Sequence, residues 1–128
     1  MGWKFYLLVA LGSALGGVSR AVLSQLIPAA KGFPWATLTI NVTGSLLIGL
    51  FSGLLTHLAD GGLSPMLRAL LVVGLCGGFT TFSTFSNETF RLLESSHYLS
   101  AAGYVSASVL GGLLSVFLGQ ALALRSAC

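Results

Sequence analysis

Four apolar stretches, each long enough to cross a lipid bilayer, leave this chain few folds to choose from. They run from Phe5 to Ile27, from Pro34 to about Leu58, from Pro65 to about Leu93 and from Tyr98 to about Leu124. About 20 predominantly apolar residues cross the hydrocarbon core as a helix, and a helix is favoured there because it satisfies its own backbone hydrogen bonds. The connections are short: Pro28 with the Ala-Ala-Lys-Gly turn, Asp60-Gly61-Gly62, and Glu94-Ser95-Ser96-His97. None has room for a catalytic module. The expectation is an all-α membrane protein, a single four-span domain over residues 1–128.

Charge agrees with this. Only 7% of the 128 residues are charged, against about 25% in soluble domains. The net charge of +3 comes from six Lys and Arg scattered singly. That pattern fits anchors at the lipid–water boundary and gives no basic patch for nucleic acid. Cys76 and Cys128 make neither a disulfide framework nor a metal motif; they read as a small buried residue and a free tail thiol. Lys4 followed by an apolar run to Leu15 and small residues to Gly17 resembles a secretory leader. The apolar character continues through Val18, Val22 and Ile27, so a retained span is expected.

With four spans, Lys4, Arg68 and Arg125 share one side of the membrane and Arg20, Lys31 and Arg91 the other. Orientation follows the Lys/Arg bias between the sides, and here there is none. The charges leave open both a fixed orientation and a dual topology with antiparallel pairing. Gly103, Ala107, Gly111, Ser115 and Gly119 form a small-residue ridge on the fourth span, and Gly12/Gly16 and Gly49/Gly53 repeat its spacing. Such ridges serve packing within one chain or between chains equally well.

The third span departs from a smooth apolar helix. Gly77-Gly78-Phe79-Thr80-Thr81-Phe82-Ser83-Thr84-Phe85-Ser86-Asn87-Glu88 places two glycines before hydroxyls interleaved with aromatic rings. A break near Gly77 is expected, and broken backbone at membrane depth persists only in protein or beside a water-filled cavity. Thr37, Asn41 and Ser45 share a face of the second span by their spacing of four, and Ser100, Tyr104 and Ser108 do so on the fourth. The inventory is rich in donors: an Asn amide, hydroxyls and the N–H groups of a restarting helix, which favour anions. Phe ring edges are electropositive as well. Carbonyls freed by the break offer the alternative of a cation site. Glu88 has Arg91 and nearby hydroxyls as candidate partners in a structural role, with a proton site as the alternative.

The run GGFTTFSTFSNE at 77–88 and TLTINVTGS around Asn41 resemble the Fluc/CrcB family of fluoride channels. Gly16-Gly17-Val18-Ser19-Arg20 and Gly32-Phe33-Pro34-Trp35-Ala36-Thr37 extend the likeness over essentially the whole chain. The resemblance implies an antiparallel dual-topology homodimer in the cell inner membrane, conducting fluoride through two pores. It implies a fluoride pathway of Asn41, Phe82, Ser83, Thr84, Phe85, Tyr104 and Ser108, with Arg20 near a vestibule and Glu88 as the third-span acid. It implies also a structural sodium ion on the backbone carbonyls of Gly77 and Thr80. One departure stands out: the fourth-span polar track of relatives continues one and two turns past Ser108, where this chain has Gly112 and Val116.

Among other functions, a small multidrug-resistance-type proton-coupled exporter would need an acid in the first span, and this one has neither Asp nor Glu. A non-transporting assembly subunit would explain the glycine ridges but not the donor-rich third span. Three acids and two isolated histidines make no metal motif or triad, so an enzyme is not expected.

Overall fold

The computed structural model describes residues 2–58 and 64–126. The loop expected at Asp60-Gly61-Gly62 and the tail thiol Cys128 lie outside them. Helices Trp3–Leu26, Trp35–His57 and Tyr98–Ser126 form the first, second and fourth spans. The third, Ser64–Glu94, is also long and apolar enough to cross a membrane. It is not one uniform helix. An α-turn Ser64–Leu67 leads into a π-wound stretch Arg68–Cys76, one more turn Gly77–Phe79 follows, and a separate helix runs Phe82–Glu94.

The turn between the first two spans is set by backbone conformation. Lys31 and Gly32 both have positive φ, at 52° and 76°, and the Phe33 N–H donates to the Ala30 carbonyl at 3.0 Å. Two consecutive positive φ values define a type I′ turn, which explains the glycine. The Phe82–Glu94 helix ends on a Schellman motif. Ser96 adopts φ 63° while His97 N–H reaches Leu92 O at 2.8 Å and Ser96 N–H reaches Leu93 O at 3.0 Å, pairing carbonyls the helix end would leave bare.

Glycines decide how the spans meet. A Cβ on Gly12 would collide with the Leu70 carbonyl, and one on Gly16 with that of Leu75. The first span therefore lies backbone to backbone on the N-terminal arm of the third. The second and fourth spans meet likewise, with Gly49 against Val116 and Gly119 against Leu46. Part of each small-residue ridge is thus consumed within the chain. Gly103 is not, since a Cβ there meets nothing within 4 Å.

The largest fully buried side chains are Tyr104, Ile40 and Cys76. Tyr104 sits in a cluster with Leu92 and Ala101, flanked by Phe33, Leu38 and Phe85. The outer surface is apolar, with Leu99 91% and Phe117 77% exposed. Water would not tolerate so continuous an apolar surface, whereas lipid tails match it.

Candidate functional site

The break in the third span lies at Thr80-Thr81, three residues beyond the expected position. Gly77 is helical, at φ −64° and ψ −36°. Thr80 has ψ 159° and Thr81 φ −151° with ψ 110°, both extended. Gly78 serves close packing instead of chain reversal: a Cβ there would come 2.5 Å from the Ser13 carbonyl oxygen, whereas one on Gly77 would meet nothing nearer than 4.0 Å.

What holds the break open is a side chain on another span. The Thr81 N–H donates to Asn41 Oδ1 at 2.8 Å, and Asn41 Nδ2 donates back to the Thr81 carbonyl at 3.1 Å. One carboxamide thus stands in for both backbone partners that an uninterrupted helix would supply to Thr81. On the upstream side Thr80 returns both its N–H (3.0 Å) and its Oγ1 (2.8 Å) to the Cys76 carbonyl. On the downstream side the helix restarts with Thr81 as N-cap, its Oγ1 accepting from the Thr84 N–H at 3.2 Å. In a continuous helix the Thr81 and Thr84 N–H groups would bond the carbonyls of Gly77 and Thr80. Both are engaged elsewhere, so these two carbonyls lose their helical partners.

Beside the break is a cleft of about 290 Å³, lined by Asn41, Ser45, Thr80, Thr81, Phe82, Phe85 and Ser108 among others. Asn41 retains one amide hydrogen beyond the bond to Thr81. The Ser108 hydroxyl is buried without a hydrogen-bond partner among the described residues. Phe82 is 79% exposed, and its ring lies 5.7 Å from that of Phe85. Phe85 in turn meets the Tyr104 ring edge-on at 5.2 Å.

Glu88 completes a chain from the cleft toward the end of the bundle. Its Oε1 accepts from the Thr37 hydroxyl at 2.9 Å and its Oε2 from the Tyr104 hydroxyl at 2.6 Å. Of the two candidate partners, the hydroxyls take the carboxylate and Arg91 does not. The stripes Thr37-Asn41-Ser45 and Tyr104-Ser108 therefore converge on the C-terminal arm of the third span.

Not every expected residue joins this assembly. Ser83 and Thr84 are exposed and approach the Thr81 hydroxyl, at 3.4 and 3.0 Å, without lining the cleft. Arg20 is half-buried on the first span, outside the cleft lining. Thr37, Ser45 and Thr81 belong to the assembly but were not among the expected pathway residues. The periodic stripe on the second span carried the signal for the first two. A Cβ placed on Gly112 would meet Ser45 Oγ at 3.4 Å, so a second-span hydroxyl lies beside the position where this chain's fourth-span track lacks one.

Apolar helices spanning the bilayer four times, around a polar break at membrane depth, define a multi-pass integral membrane protein built to expose donors inside the membrane. The chain belongs to the CrcB family: residues 7–120 match the family described as "CrcB-like protein, Camphor Resistance (CrcB)". It is 51% identical over 111 residues to a protein of Nitrobacter winogradskyi named "Fluoride-specific ion channel FluC", covering 85% of this chain and 86% of the relative. A protein of the same name from Paramagnetospirillum magneticum is 48% identical over 120 residues, 92% of this chain and 94% of that one. One from Leptospira interrogans is 43% identical over 118 residues, 91% of each. These relatives are named as ion channels, which are not enzymes, and the names do not favour the exporter alternative.

Proposed function

We propose that this protein is a fluoride-selective channel of the plasma membrane that lets fluoride leave the cytoplasm passively. The cleft beside the Thr80-Thr81 break carries the reading, and the names of the relatives supply the ion. Hydrogen fluoride is a weak acid that crosses membranes and dissociates inside, so a path for the anion relieves its accumulation. Fluoride holds its water tightly, and conduction requires donors that replace that shell within a narrow path. The free amide hydrogen of Asn41, the unpartnered Ser108 hydroxyl and the ring edges of Phe82 and Phe85 are such donors. Ser83 and Thr84 extend the hydroxyl surface from Phe82, Tyr104 and Glu88 continue the path toward the bundle end, and Arg20 draws anions to a vestibule.

The functional unit is an antiparallel homodimer of dual topology. Its support is the even Lys/Arg distribution and the exposure of Phe82, 79% open to its surroundings in one chain. A path that must exclude lipid and bulk water needs a second surface over that ring. A structural sodium ion fits the carbonyls of Gly77 and Thr80. Both have lost their helical N–H partners, and hard cations prefer oxygen ligands. Such an ion would hold the break together with the Asn41 clamp.

The deciding experiment is fluoride efflux from liposomes holding the purified protein, with chloride in parallel. Rapid fluoride release with little chloride release is expected, and equal or absent fluoride release would overturn the reading. Phe82→Ile and Phe85→Ile should each depress fluoride release sharply in protein that still assembles.

A further inference from the structure

We infer that Arg91 is an anion-capture residue at the mouth of the path, a role resting on the channel reading above. A second cavity of about 290 Å³ opens at the end of the bundle, lined by Gly32, Phe33, Pro34, Glu88, Arg91 and Ser95 among others. Its walls come from the turn between the first two spans and from the last turns of the third-span C-terminal arm, which places it at the membrane–water boundary. Glu88 lines this mouth and also bonds Tyr104, whose ring packs on Phe85 in the cleft lining. The Glu88 carboxylate and the Tyr104 and Phe85 rings therefore link mouth to cleft.

An anion entering from this mouth must pass that carboxylate, whose charge opposes it. Two hydroxyls already donate to it, but neither cancels the charge. Arg91 lies three residues further along the same helix, so the two side chains project on one face. Arg91 is exposed, and no carboxylate among the described residues lies within ion-pairing distance of it. Its guanidinium is thus free to attract ions from solution and to offset Glu88 at the step into the path. Other charged or titratable groups at this end are Arg20, Lys31, Glu94, His97 and Tyr98, and of these none lines the cavity.

The test compares Arg91→Gln and Arg91→Lys with wild type in liposome fluoride efflux, at about 10 mM and about 500 mM of an impermeant salt. Salt screens attraction beyond a Debye length, about 30 Å at 0.01 M and 3 Å at 1 M. At low salt Arg91→Gln should slow initial release about threefold, the Boltzmann weight of one charge at about 7 Å in water. Arg91→Lys should retain wild-type release, and the deficit of the Gln variant should vanish at high salt. Equal release by Arg91→Gln and wild type at low salt overturns the inference. So does a deficit that is the same at both salt concentrations, which marks a structural role. Wild-type protein that releases no fluoride at either concentration overturns the channel reading together with this one.

Discussion

Asn41→Ala should open the clamp at Thr81 and with it the path. The substitution removes two hydrogen bonds, of 2.8 and 3.1 Å, each worth about 1 kcal/mol net. The local cost is then about 2 kcal/mol, or about thirtyfold in the equilibrium that exposes the Thr81 amide. Amide hydrogen exchange at Thr81 in detergent micelles reads this directly, and fluoride efflux reads its consequence, expected to fall at least about tenfold as Phe82 and Phe85 lose their fixed aim. Asn41→Asp separates the two bonds. It keeps an acceptor for the Thr81 N–H, loses the donor, and turns a carboxylate oxygen toward the Thr81 carbonyl. Efflux should fall at least as far, since a negative charge now faces the anion. Wild-type exchange at Thr81 together with wild-type efflux in Asn41→Ala would refute the clamp.

Adjacent glycines on the first span give a contrast within one turn. Gly16→Ala should destabilise the protein by about 1–3 kcal/mol or prevent folding, because the new methyl meets the Leu75 carbonyl and comes 2.7 Å from the Phe79 nitrogen. Gly17→Ala meets nothing within 4 Å and should be neutral or raise the melting temperature slightly; thermal unfolding in detergent compares the two. Tyr104→Phe removes the hydroxyl that donates to Glu88 Oε2 while keeping the ring against Phe85, and should cost about 2 kcal/mol. Combined with Thr37→Val in a thermal-stability cycle, it should depart from additivity, since both hydroxyls serve one carboxylate.

The spans were legible because length and apolarity alone fix them, and the observed ends fall within a few residues of those read from Pro34, Pro65 and the Glu94–His97 connection. The position of the break was not. Two adjacent glycines are the strongest local sign of interruption, yet at Gly78 the absent side chain admits the Ser13 backbone and the helix continues through it. The real interruption depends on Asn41, 40 residues away from Thr81, and no local pattern encodes a partner at that distance. Nor does anything in the smooth apolar run RALLVVGLC announce its π winding. The polar stripes were more informative, because a period of four puts Thr37, Asn41 and Ser45 on one face wherever that helix sits. What they could not reveal was which stripe meets which residue, and so Thr37 was not connected to Glu88 until the fold joined them.

The interruption at Thr80-Thr81 also means that the third span carries two independent rotational settings. The glycine seam of Gly12 and Gly16 fixes the roll of its first arm, while Thr37 and Tyr104 fix that of its second through Glu88. Extended residues transmit no helical phase from one to the other. The bearing of the Phe82 and Phe85 rings is therefore set by the second arm's own contacts and not by the roll of the first.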